Sequence, residues 1–188
     1  MKQEGVPKAE EPTEVATEQE KEAELPKLTK AEWQAYNHMA EHMDMFHENF
    51  RRTWNTLYKA CTAGKRPQGM SIRQFLSLGE QFCHHLTIHH TIEEQHIFPV
   101  LAKKMECFRE DQAMLTDHKG IHEGVDKLED YIRDVKSGEK ELDLRELKTV
   151  MDSFGEVLWR HLDAEVKNLG AENMRKYWTT GEMKVMPM

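Results

Sequence analysis

Between residues 36 and 169 apolar side chains recur at steps of three and four, in four blocks separated by short polar breaks. That step marks one face of an α-helix, and no stretch shows the two-residue alternation of a half-buried strand. The first block runs Tyr36, Met39, Met43, Phe46/His47, Phe50, Trp54, Leu57 and Cys61. The second runs Phe75, Leu78, Phe82, Leu86, His89, Glu93 and His96 or Ile97. The third has Met114, Leu115, His118, Ile121/His122, Val125, Leu128 and Ile132. The fourth has Leu147, Val150, Met151, Phe154, Leu158, His161, Leu162, Glu165 and Leu169.

The punctuation agrees with the blocks. Thr29 with Glu32 and Ser71 with Gln74 are capping-box pairs, and Asp143 with Glu146 opens the fourth helix. Gly64 to Gly69 with Pro67 inside, Ser137-Gly138-Glu139-Lys140, and Gly170 are breaks. The third helix is expected to begin near Glu110. Pro99 is expected to end or kink the second, because proline lacks an N–H and crowds the preceding turn. Short links between long amphipathic helices force antiparallel neighbours. The expected fold is therefore all-α, an antiparallel up-down-up-down four-helix bundle over residues 31–170. Residues 1–30 hold eight Glu, five Lys and three Pro with no aromatic residue, which reads as a disordered acidic tail. Residues 171–188, with Tyr177, Trp178 and four methionines, are expected to pack across one end of the bundle.

Composition narrows the functional classes. A mean hydropathy of -0.78 and no long apolar run argue against a membrane-spanning helix. The net charge of -8 with no basic block argues against nucleic acid as a partner. The opening Met-Lys-Gln-Glu-Gly lacks an apolar signal segment, and Cys61, Cys83 and Cys107 are an odd set without CxxC spacing. The expectation is a cytoplasmic protein in a reducing compartment.

Histidine is the outlier: eleven in 188 residues, four of them between positions 84 and 90. Residues four apart share a helix face, and three helices carry a pair of potential ligands at that step. They are His89 with Glu93 (in parallel His90 with Glu94), His118 with His122, and His161 with Glu165. The first helix adds His47 on its apolar stripe. An unpaired imidazole or carboxylate on a buried face is costly, so groups placed together at one depth must satisfy one another or a metal. Inward-facing Glu and His on adjacent helices build dinuclear iron or manganese sites, with zinc a competitor for such mixed ligands. Pro99 and Ile92 favour His89/Glu93 over His90/Glu94. Apolar residues three, seven and ten positions on favour His47 over His42. His38, His42, His84, His85 and His96 read as solvated, packing or supporting residues, and Cys83 as a small buried hydrophobe.

The strings HENFRRTWNTL, HHTIEEQHIFP, HKGIHEGVDKL and HLDAE resemble the four helices of hemerythrin-like (HHE cation-binding) proteins, over about residues 35–170. The resemblance implies a dinuclear centre in the bundle core, two iron ions cycling between Fe2+ and Fe3+ with an oxo or hydroxo bridge. It assigns one iron to His118, His122 and His161, the other to His47 and His89, with Glu93 and Glu165 bridging. The family's oxygen carriers have an aspartate five residues after the last histidine, where this chain has Val166. Glu165, with a longer carboxylate arm, is the substitute seen in the wider family. The implied function is iron and dioxygen binding. Alternatives are a diiron oxidoreductase using dioxygen or peroxide, and an iron or oxygen sensor. The implied partner is dioxygen or another small oxidant.

Overall fold

A computed structural model of the chain describes residues 25–109 and 112–187. All regular structure among them is helical. The helices are α1 (Lys30–Ala63), α2 (Ile72–Ile92), α3 (Phe98–Leu101), α4 (Ala113–Ser137), α5 (Leu144–Leu169), α6 (Ala171–Met174) and α7 (Thr180–Met183). A π-helical turn at Glu93–Ile97 joins α2 to α3, and a 3-10 turn spans Glu106–Phe108. The acidic tail read for residues 1–30 lies outside the described residues up to position 24, as does the expected start of the third helix at Glu110.

The local chemistry explains the ends. The Thr29 hydroxyl accepts from the Glu32 N–H while the Glu32 carboxylate accepts the Thr29 N–H at 2.8 Å, and Ser71 and Gln74 repeat the exchange. Asp143 caps α5 alone, accepting from the N–H groups of Arg145 and Glu146, because the Glu146 carboxylate pairs with Lys140 instead. Gly64 and Gly138 end α1 and α4 with φ of 65° and 83°, in the left-handed region that glycine adopts without a Cβ clash.

Pro99 marks a disturbance of the second helix, as expected, but does not end it. Its missing N–H and its ring disturb the helix one turn upstream, but the helix widens rather than ends. The Phe98 N–H reaches back five residues to the Glu93 carbonyl, and the chain stays helical to Leu101. Such π-turns concentrate where a helix has been re-aimed for function.

α1 packs against α2 and α5, and α4 packs against the same two helices, so the four long helices close into a ring. Two apolar clusters fill it. One is built around Trp54, Phe82, Leu128, Phe154 and Leu158. The other gathers Met39, Met43, Phe98, Leu101, Met114 and Leu169 with Met174, Trp178 and Met183 from the C-terminal segment. That segment is tied down by the Ala171 N–H, which donates to Asn37 Oδ1 at 3.1 Å, and by Trp178 Nε1 on the Met105 sulfur. Among the described residues no helix is long and apolar enough to cross a membrane.

Candidate metal centre

A layer of polar side chains separates the two apolar clusters. His47 lies between Met43 and Phe50 on α1, His90 and Glu93 between Leu86 and Ile97, His118 between Met114 and Ile121 on α4, and His161 and Glu165 between Leu158 and Leu169 on α5. All six residues are buried; His89 joins them with its side chain 10% exposed. Each occupies a position of its helix's inward stripe, so the folding of the ring itself delivers them to one depth.

Their nitrogen and oxygen atoms converge in two groups, each with its atoms within 4.8 Å of one another. His90, Glu93, His118 and His161 form one; His47, His89, Glu93 and Glu165 form the other. Glu93 belongs to both: its Oε1 lies 2.8 Å from His89 Nε2 and its Oε2 3.5 Å from His118 Nε2. Glu165 Oε2 lies 3.4 Å from His47 Nε2 and 3.7 Å from His161 Nε2. Across the layer His47 Nε2 and His89 Nε2 are 3.2 Å apart, and His118 Nε2 and His161 Nε2 3.0 Å.

Close as they are, these atoms satisfy one another only in part: the two histidine pairs are within hydrogen-bond reach, the carboxylates and His90 are not satisfied. Both oxygens of Glu93 and of Glu165 and both ring nitrogens of His90 are buried without a hydrogen-bond partner. Leaving so many polar atoms orphaned would cost roughly 1–3 kcal/mol apiece, far more than a domain tolerates without compensation. Lone pairs aimed at common points rather than at each other are what a cation requires. The donor set, imidazole with carboxylate and no thiolate, suits iron, manganese or zinc. The residues fit a dinuclear centre.

Electrostatics favour the ligating forms of the imidazoles. Burial pulls His47, His89 and His161 down to about 4 and His118 to about 3, and holds His90 well below the ordinary value. All five are neutral near pH 7. Burial, with Glu165 as a neighbour, pushes Glu93 well above the usual carboxylate range, and burial raises Glu165 against the pull of His161 and His89. Without a compensating charge the two carboxyls resist ionisation; a divalent cation supplies it.

Glu94 has a supporting role that the sequence shows only as an alternative ligand. Its Oε1 lies 2.7 Å from His118 Nδ1. With Nδ1–H donating to this carboxylate, Nε2 is left as the lone-pair nitrogen facing the centre.

Six of the seven residues singled out in the sequence lie in these groups: His47, His89, Glu93, His118, His161 and Glu165. The seventh, His122, does not. Its half-buried ring stands 5.3 Å from that of His90 and 6.5 Å from that of His118. The buried stripe of α4 runs Met114, His118, Ile121, Val125, Leu128, Ile132, so the step after His118 is three and Ile121 takes the inward place. His90 supplies the fifth imidazole. The stripe of α2 passes through Phe75, Gly79, Phe82/Cys83, Leu86 and His90 rather than through Leu78 and His89 alone. Gly79 carries no hydrophobic signal, yet it faces the core: a Cβ there would lie 2.7 Å from Ile132 Cδ1. His42, His84, His85 and His96 are exposed.

On the α1–α2 side the centre meets a pocket of about 570 Å³. His89 and Glu93 form part of its wall, with Phe46, Phe50, Ile88 and Ile92 around them. The phenyl rings of Phe50 and Phe46 stand 5.1 and 5.8 Å from the His89 imidazole.

Comparison with known proteins also points to cation binding. The model of the hemerythrin HHE cation binding domain matches residues 38–171. A curated relative from Cryptosporiopsis sp. (strain 8999), the dimeric xanthone biosynthesis cluster protein R11, is 25% identical over 156 residues. The match covers 78% of this chain, and the chain spans 57% of that relative's length. No solved structure matches.

Proposed function

Because the chain belongs to the hemerythrin HHE cation-binding family, we propose that its ring of helices is an up-down-up-down bundle holding two iron ions that together bind dioxygen. The observation that carries this reading is Glu93, whose two oxygens face two different imidazole groups, His89 on one side and His118 on the other. His90, His118 and His161 would hold one ion and His47 and His89 the other, with Glu93 and Glu165 between them. When bound, the iron pair supplies reversible electron transfer to dioxygen. The chain's own contribution is to hold five neutral imidazoles at one depth, to orient His118 through Glu94, and to exclude water. Phe50, Phe82, Leu86 and Leu158 are all buried beside the layer and keep it dry. The His47–His89 side has one imidazole fewer, which makes it the side that admits an external ligand.

The test is metal analysis with an optical spectrum, on protein loaded with ferrous iron without air and then exposed to oxygen. Two irons per chain and a visible charge-transfer band that disappears on deoxygenation are expected. Zinc retained in preference to iron, or a single iron per chain, would overturn the reading. Irreversible bleaching with oxygen consumption would favour oxidoreductase chemistry at the same centre, a second reading supported by the apolar pocket at His89 and Glu93.

A further inference from the structure

The pocket between α1 and α2 is far larger than a diatomic ligand requires. One water occupies about 30 Å³ in the liquid, and the pocket holds about 570 Å³. Small-molecule sites run roughly 300–1,000 Å³, mostly apolar with a few convergent polar groups. That is the composition here. Phe46, Ile88 and Ile92 are 49%, 43% and 47% exposed and surround its opening. Apolar side chains scattered singly over a surface are ordinary; three at one opening that leads to buried polar groups are not. The inner wall is His89, the least buried imidazole of the centre, beside Glu93.

We propose that this pocket binds a neutral, largely apolar organic molecule of about the size of two fused rings, placed against the His89 and Glu93 edge of the centre. No lysine or arginine lines the pocket among the described residues, so no permanently cationic side chain there selects an organic anion. Phe46 and Phe50, flanking the His89 ring, offer aromatic faces and edges to a planar guest. Asn49, His85 and His96, all exposed and all lining the pocket, provide hydrogen bonds for one hydroxyl or carbonyl. The inference deepens the reading of the centre: it rests on His89 and Glu93 being metal ligands for the guest's position, but not for its binding.

The experiment titrates the full chain, metal-free and zinc-loaded, with N-phenyl-1-naphthylamine, a neutral apolar fluorophore. One saturable site per chain is expected, with 2-naphthol competing. The variant Ile88→Glu/Ile92→Lys makes the opening polar while adding a helix-compatible pair four residues apart. It should weaken the probe about ten-fold or more, since a charge set in an apolar wall opposes burial of the guest, with helicity and metal content unchanged. In a second measurement the 19F signal of a fluorinated 2-naphthol should broaden when the centre is loaded with iron(II) and not with zinc. Absence of saturable binding, or equal binding by the variant, would overturn the pocket assignment. So would a wild-type dimer that the variant converts to monomer, which would make this face an interface between copies. Probe binding without iron-dependent broadening would overturn the placement beside the centre. Two irons per chain with no probe binding would leave the metal reading standing and refute this one.

Discussion

His90 and His118 stack face to face in the middle of the molecule, ring centroids 3.9 Å apart and planes within 12°. The contact joins α2 to α4 and sets two imidazole edges toward the same point, while neither nitrogen of His90 finds a hydrogen-bond partner in the protein. His122 only borders this stack. His90→Ala should therefore lose about half the bound iron or weaken it severely, whereas His122→Ala should retain two metals per chain. Metal content of the two purified variants checks this directly, and the reverse ranking would show that His122 swings into the centre on loading.

Glu94 acts through His118. Removing the carboxylate leaves Nδ1 without its partner and frees the ring to rotate or change tautomer. Glu94→Ala should weaken metal binding on the three-histidine side about 10–100-fold, with Glu94→Gln intermediate because the amide oxygen still accepts from Nδ1–H. Competition with a chromophoric chelator measures it. Equal affinity in wild type and both variants would show that stacking on His90 alone orients His118.

Most of this architecture is legible in the chain, and where it is not the reasons are local. The caps follow from the residue types at the helix ends, and the four stripes and the depth of His47, His118, His161 and Glu165 follow from periodicity. What periodicity treats poorly is a helix in a ring, which touches two neighbours and not one. Successive residues turn by about 100° around the axis, so His89 can face His47 on α1 while His90 faces His118 on α4. Choosing between them assumes one narrow face. Gly79 conceals the wider face, because a glycine chosen for close approach to Ile132 has no apolar side chain to count. The π-turn at Glu93–Ile97 is only half visible: Pro99 announces a disturbance, but whether a helix breaks or widens is decided by the packing of Ile97 and Phe98 in the second cluster.

Acid should destabilise the metal-free protein well before it protonates the buried imidazoles. As pH falls through about 6.5, the unfolded chain takes up protons on histidine, while His47, His89 and His161 in the folded state wait until about 4 and His118 until about 3. The unfolded state then binds more protons, so stability is fully present above that range and declines as pH falls. Glu93 and Glu165 oppose this, since their raised values make the folded state the better proton binder above the ordinary carboxylate range. Five imidazoles outweigh two carboxyls. Urea unfolding of chelator-treated protein should show a midpoint that drops between pH 7 and pH 5. A midpoint that rises over that interval would mean that the carboxyls dominate.

α4 and α5 are in tight contact at Gly124, where an added Cβ would lie 2.2 Å from Phe154 Cγ and 2.3 Å from Phe154 Cβ. The Phe154 Cβ moves only with its backbone, so the two helices must separate, disturbing the spacing of His118 and His161, each about two turns away. Alanine in place of a helical glycine ordinarily gains about 1 kcal/mol, but overpacking a dense core costs about 1–3 kcal/mol or more, and here the backbone itself is obstructed. Gly124→Ala should lower Tm by about 2–8 °C. Gly120 supplies the control on the same helix: nothing lies within 4 Å of its added Cβ, so Gly120→Ala keeps only the propensity gain. Thermal unfolding followed by circular dichroism should move the two variants in opposite directions. A common shift would mean that α4 and α5 are farther apart than the Gly124–Phe154 contact requires.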